Sequence, residues 1–308
     1  MRVLRYTVIF LLFLAPVFTL AGVSAVDLPN TSKWYFHADF EQMRSTEAGK
    51  HLYGWLQEEV FEEIREDVGF DLDKEADRFT AFSTPNEGIV VLIEGDISQK
   101  TEDMVLAMGA ASGALDKLES GGKTYYHIKD DGEAGDSDSK INIDFDSFDH
   151  GAYFSFALQN MIVVTSTLDE MDSLLANGGK IARVDNAGEA LFVLSAERSL
   201  VQAGVKTGDL GEELGWDSNI LSNTMEAALL IADEAGKFAI EAKLVTKESD
   251  MANSLASIIR GLISLQAFND DLDPEIVDFL QNTSVSVKDN TLTLKILLDP
   301  EVVIEAIN

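Results

Sequence analysis

A six-residue phrase occurs twice in this chain. Glu66 to Asp71 reads EDVGFD, and Glu212 to Asp217 reads EELGWD. Three positions are identical, and the others are Asp/Glu, Val/Leu and Phe/Trp pairs. The offset is 212 minus 66, or 146 residues. In each phrase a glycine, Gly69 or Gly215, precedes an aromatic residue. A helix that ends on a left-handed glycine and folds the next apolar side chain back on itself has this pattern. A duplicated unit has to build the same elements twice, which constrains the fold more than any composition does.

The offset recurs. Asp103-Met104 and Asp250-Met251 each open a long amphipathic segment 147 residues apart, and Gly88 and Gly236 fall in hairpin turns 148 apart. In the first copy Trp34 to Phe40 reads as a strand. Leu52, Leu56, Val60 and Ile64 then mark a helix, and residues 79–83 and 88–95 a hairpin around Pro85-Asn86-Glu87. Met104, Met108, Ala111, Leu115 and Leu118 are spaced as the core face of one long helix. The second copy restarts with the strand Ala190 to Ser195 and has its own helix from Glu248, with Leu255, Ile258, Ile259, Leu262 and Ile263.

At the end of each copy the register changes. Gln159 to Met171 (QNMIVVTSTLDEM) matches Asp289 to Val302 (DNTLTLKILLDPEV), and Asn160 against Asn290 gives an offset of only 130. The first copy therefore holds about 17 residues (147 minus 130) that the second lacks, between its long helix and its last hairpin. This predicts an extra hairpin of residues 123–129 (KTYYHIK) and 140–146 (KINIDFD), joined by the acidic tip 130–139. Tyr125, His127 and Lys129 point to one side, Tyr126 and Ile128 to the other. The second copy has helical material at 273–281 instead.

The expected fold class is α+β: two tandem related units, residues 33–180 and 188–308, each a mostly antiparallel sheet with long helices packed on one face. The first carries an acidic hairpin insertion near 123–149. The order of elements resembles a ferredoxin-like arrangement with added strands.

Residues 1–25 have the parts of a cleaved signal peptide: Arg2 and Arg5, an apolar run from Thr7 to Val23, and Val23-Ser24-Ala25 at the cut. An uncleaved anchor is the competing reading, since the apolar run reaches the lower limit for a span. Cleavage places the protein in the periplasm or outside the cell, as an exported protein of a bacterium. The chain has no cysteine, so disulfides and thiolate metal sites are excluded and the core alone must hold the fold. Asn30-Thr31-Ser32 and Asn282-Thr283-Ser284 fit the glycosylation pattern, which is common by chance. The formal charge is -31, and -33 once Arg2 and Arg5 are removed. Such a field repels phosphate, so nucleic acid and anionic lipid are excluded as charge-driven partners, and no membrane insertion is expected after cleavage.

The acidic stretch 130–150 (DDGEAGDSDSKINIDFDSFDH) is the candidate metal site. Asp136 and Asp138 supply an Asp-x-Asp pair of the hard oxygen type that calcium takes, without the glycine and glutamate of a helix-loop-helix calcium loop. Asp144, Asp146 and His150, or His127 in its place, give the imidazole and carboxylate set that suits zinc or manganese. The competing readings are a solvated tip of mutually repelling carboxylates, and plain cross-strand pairing of His127 or Lys129 with Asp144 or Asp146. Gly121-Gly122-Lys123-Thr124 resembles the end of a phosphate-binding loop, but Lys117 stands where that loop needs its first glycine. The carboxylates of residues 58–67 have the spacing of a solvated helix face. The small residues 109–114 imply close helix-to-sheet approach or a ligand groove.

No cofactor follows from these residues apart from Ca2+ at the acidic stretch. The sequence favours an exported, acidic, non-catalytic binding or scaffolding protein with a protein or small ligand as partner. A calcium-responsive module using residues 130–149 is the first alternative, and a hydrolase with a dispersed site the second.

Overall fold

The computed structural model describes residues 32–68, 70–84, 88–113, 115–129, 151–178, 190–197, 224–266 and 282–307. The described chain is mixed helix and antiparallel sheet, with twelve strands. It divides into two compact units: unit 1 combines Lys33–Trp55 with Val184–Asn308, and unit 2 is built from Leu56–Arg183. The first strand, β1 (Trp34–Asp39), thus belongs with the second half of the chain.

In unit 1, β1 pairs with β8 (Ala190–Glu197), which is followed by β9 (Thr224–Glu234), β10 (Lys237–Thr246), β12 (Thr291–Leu298) and β11 (Thr283–Lys288). Asp39 begins helix α1 (Phe40–Ser45) by accepting from the Gln42 amide at 2.8 Å. Helix α2 (Glu47–Leu56) starts on a second carboxylate, because Asp233 Oδ2 accepts from the Ala48 amide at 2.7 Å. The long helix, here α7 (Ser249–Gln266), buries Ala252, Leu255 and Ala256 against Leu292, flanked by Leu244, Val285, Val287 and Ile259. Phe238, Leu191, Val193 and Met43 are fully buried in this unit.

Unit 2 begins with a π-helical turn (Gln57–Phe61) that leads from α2 into α3 (Glu62–Val68). The four-residue repeat of Leu52, Leu56, Val60 and Ile64 exceeds the 3.6 residues of an α-helical turn, and the wider π turn takes up part of the mismatch. Those four side chains are half-buried, while Tyr53 and Phe61 are the buried anchors. A short helix α4 (Leu72–Glu75) precedes the hairpin of β2 (Arg78–Ser83) and β3 (Ile89–Glu94), whose strands lie where the alternation places them. Residues 85–87 of its turn are outside the described residues.

The long helix of unit 2 is shorter than its spacing predicts. Helix α5 (Gln99–Ser112) begins on Ser98 and stops at Gly113, which is left-handed with φ 72°. Leu115 and Leu118 belong to strand β4 (Leu115–Ser120), where an odd separation puts them on opposite faces. The expected core stripe therefore breaks: Met108 is 47% exposed and Ala111 is exposed. Gly109 packs on the Leu115 side chain, so the small residues serve a close helix-to-strand approach.

Strand β4 turns through Gly121 and Gly122, both with positive φ, into β5 (Lys123–Ile128). Beyond β5 come β6 (Ala152–Leu158) and β7 (Met161–Thr165), giving the order β4-β5-β6-β7-β3-β2. The expected pairing of residues 123–129 with 140–146 is thereby corrected. β5 has β4 on one side and β6 on the other, and residues 140–146 lie outside the described residues. Helix α6 (Leu168–Ala176), capped by Thr167, closes the unit as α8 (Pro300–Ile307) closes unit 1.

Helices α5 and α6 of unit 2 lie against opposite faces of its sheet. Leu115, which touches α5, sits opposite Ile128. Lys123, on the other face, reaches the carbonyl of Leu175 in α6.

Candidate functional site

All five metal candidates, Asp136, Asp138, Asp144, Asp146 and His150, lie outside the described residues, as do the two duplicated phrases except for Phe70, Asp71 and the last turns of α3. What the structure describes is the place where the acidic segment leaves and re-enters the sheet. Ile128 at the end of β5 pairs with Ala152 at the start of β6, so the exit and entry points are neighbours. Gly151 (φ 91°) lies so close to the Ile128 carbonyl that a Cβ there would sit 2.1 Å from it.

Around this point the α6-facing side of β5 and β6 carries Lys123, Tyr125, His127 and Tyr153. Strand alternation puts the three β5 residues on one face, and the register brings Tyr153 directly opposite His127. The His127 ring stacks on Tyr153 with centroids 4.4 Å apart, and Tyr153 and Tyr125 are 6.4 Å apart. Tyr125 is almost fully buried. Burial pushes its hydroxyl pKa up, and the neighbouring carboxylate of Asp172 on α6 and the Tyr153 phenol add to the rise. Lys123 donates to the carbonyl of Leu175 in the last turn of α6, a favourable place for a cation. Asp172 Oδ1 and His127 Nε2 are buried without a hydrogen-bond partner.

The opposite side of the same strands is aromatic. Tyr126 stacks on Phe154 at 5.2 Å, and Phe154 meets Phe156 edge-on at 5.8 Å. Burial raises the Tyr126 pKa as well, with Glu102 of α5 adding to it.

Lys129 pairs with Asp116 of β4 at 2.7 Å, a cross-strand ion pair with a different carboxylate from those expected. The Gly121-Gly122 pair is the two-residue turn of a hairpin, where both residues need positive φ. Glu58, Glu59, Glu62 and Glu66 are exposed, and Arg65 pairs with Glu62 at 2.7 Å, as a solvated helix face requires. His37 is buried in β1, stacked on Tyr35 at 6.3 Å, while His51 is exposed on α2. Among the described residues no group of three His, Asp or Glu side chains is arranged to hold a metal ion.

Sequence reasoning missed two features. In unit 1 an ionic group lies on the sheet: Lys243, 7% exposed, is 3.2 Å from Glu241, and Lys295 bonds Glu234 and approaches Glu241 at 3.7 Å. Its signal is the alternation of KFAIEAKLV in β10 against the lysine of β12. Second, α7 exposes Ile258 (57%), Leu262 (50%) and Leu265 (69%) on one flank. No helix of the described residues is long and apolar enough to cross a membrane.

No protein-family profile matches the chain, and no curated protein matches it. Among solved structures it is similar to TP0453. Crystal form I aligns at 8% identity with a TM-score of 0.45, over 94% of this chain and 97% of that one. Crystal forms III and IV align at 10% identity with TM-scores of 0.48 and 0.49, again over 94% of this chain and over 98% and 97% of theirs. A likeness at this level does not extend to a function.

Proposed function

We propose that this is an exported, non-catalytic binding or scaffolding protein whose partner is another protein, built on two copies of one α+β unit. The duplication is supported by strand order: β6-β7-β3-β2 of unit 2 and β11-β12-β10-β9 of unit 1 are the same arrangement of corresponding elements. A shared stitch supports it further. The Gly95 amide donates to the Asn160 carbonyl at 3.1 Å, and the Thr246 amide to the Asn290 carbonyl at 2.9 Å. Each ties the strand before the long helix to the turn of the last hairpin. Residues 1–25 as a cleaved signal peptide put the protein in the periplasm or the medium.

The observation that carries the binding reading is the exposed flank of α7. Three large apolar side chains stand in water on a chain whose formal charge is -31. Contiguous exposed apolar surface of this kind marks interaction sites. The negative field argues against nucleic acid and anionic lipid and leaves protein as the partner class.

The test is a pull-down from the native compartment with the mature chain from Val26. Beside it run a variant with Ile258, Leu262 and Leu265 changed to Ser, and a variant lacking residues 130–149. That deletion is chosen to spare β5. The expected result is a partner that the mature chain recovers and the serine variant loses, and that binds the purified mature chain directly. Equal recovery by all three proteins defeats the reading.

A further inference from the structure

Strand β11 ends the strand order of unit 1, with β12 beside it. Lys288 and Thr291 flank the two-residue turn at 289–290, so they form a hydrogen-bonded pair, and Ser286 with Thr293 and Ser284 with Lys295 follow in alternation. The backbone N–H and C=O groups of Val285 and Val287 therefore point away from β12. A separate contact agrees with this: the Arg260 guanidinium of α7 donates to the Val285 carbonyl at 2.9 Å.

Among the described residues, this edge is protected only by Lys288 and by the Arg260 contact. Its sequence, TSVSVK, has no proline and no carboxylate, and its register with β12 has no bulge. Ser284, Ser286 and Lys288 are exposed. The end strand of unit 2, β4, contrasts with it by carrying Asp116, Lys117 and Glu119 in six residues. In a chain with 54 acidic and 23 basic residues, the β11 edge carries two cations, Lys288 and Arg260, with Asp289 following in the turn. Arg260 and Asp250 are the only charged residues of α7. Screening over about 8 Å at physiological salt lets a docked segment respond to these nearby charges rather than to the whole chain.

We propose that the outer edge of β11 is a strand-docking site for an extended segment of a partner protein, with acidic side chains on the face it shares with Lys288. The added strand pairs with the outward groups of Val285 and Val287, and Arg260 is the guard it displaces. Backbone hydrogen bonds supply affinity and the alternating side chains supply specificity in this mode of recognition. A bilayer would leave the same groups unpaired, and the β11 edge of a second copy would bring the same lysine and arginine against this one. The assignment deepens the binding reading above and rests on it.

The test titrates the mature chain with two blocked heptapeptides, TEVEVET and its lysine counterpart TKVKVKT, by calorimetry. The acidic peptide is expected to bind at least about tenfold more tightly than the basic one, as one hydrogen bond to a charged group allows. Val287→Pro removes an outward N–H and leaves the ladder to β12 intact, so it should weaken binding about tenfold without changing the circular dichroism spectrum. Lys288→Glu should reverse the preference, and it keeps the assignment testable if the proline variant does not fold. Four results overturn it: no binding of either peptide, tighter binding of the lysine peptide by the unaltered chain, a folded Val287→Pro variant of unchanged affinity, or an unreversed preference in Lys288→Glu. Dimerisation, or binding to phosphatidylcholine vesicles, that Val287→Pro abolishes would give the edge to another occupant and also overturn it. If the peptides fail while the serine variant of α7 still loses its partner, the edge assignment falls and the binding reading stands.

Discussion

Strands β6 and β11 occupy the same place in their strand orders and meet opposite surroundings. β6 is covered by β5, which is covered in turn by β4, whereas β11 has nothing beyond it among the described residues. The hairpin of β4 and β5 lengthens the sheet of unit 2, and the acidic stretch stands between β5 and β6 in the sequence. A second difference lies on the sheet faces. β3 of unit 2 reads IVVLI and is apolar on both faces, as a strand with helices on either side needs to be. Its counterpart β10 reads KFAIEAKLV, with Glu241 and Lys243 on one face. Unit 2 uses both faces of this strand for core, whereas unit 1 has a polar face and, among the described residues, an edge with no further strand.

The sharpest way to break this comparison is Tyr125→Ala. If the β4–β5 hairpin is part of the core of unit 2, removing this buried ring should destabilise the protein by about 3 kcal/mol in urea unfolding. A loss under about 1 kcal/mol would reduce the hairpin to an appendage. Gly113→Ala tests whether the turn from α5 into β4 requires a left-handed residue. With φ at 72° and open space around the position, the expected loss is about 1 kcal/mol by the same measurement.

The polar face of unit 1 is probed by Glu226→Gln. Glu226 stands opposite Glu197 in the β8–β9 register, and burial raises its carboxyl pKa. A carboxyl whose folded pKa lies above its unfolded value is favourable to folding only while protonated. That contribution is present below the unfolded pKa and lost as pH rises through the folded one. Glu226→Gln should therefore raise the melting temperature by about 2 °C at pH 7 and change it little at pH 4. A rise of equal size at both pH values would point to packing instead of charge. The smallest effect is expected from the acidic segment itself. Deleting residues 130–149 should leave the melting temperature unchanged, and millimolar calcium or chelator should not move that of the intact chain. A rise with calcium that the deletion abolishes would restore the calcium-responsive reading.

Much of the scaffold was legible in the sequence because its signals were periodic. The alternation of residues 79–83 and 88–95 and the helix from Glu248 gave elements within a residue or two of those seen. Leu115 and Leu118 misled because their spacing continues the helical pattern of Met104 and Met108 past Gly113, and only the glycine marks the break. The turn at Gly121-Gly122 was itself a hairpin signal, which points to β4 and β5 as partners once the phosphate-loop reading is set aside. The fit of β1 beside β8 was not legible, since strand pairing between distant segments leaves no local trace. Of the candidate site, sequence alternation correctly divided Tyr125 and His127 from Tyr126. It could not show that Tyr153 and Asp116 would be the neighbours of His127 and Lys129.

The pairing of Ile128 with Ala152 has a practical consequence for chain length. Because the scaffold itself holds the two ends together, added residues between them cost little in chain closure, about 0.6 kcal/mol for each doubling of length. This makes the junction between β5 and β6 a port: a tag, a fluorophore-binding peptide or a small domain with adjacent termini could be spliced there, and unit 2 should fold around it unchanged.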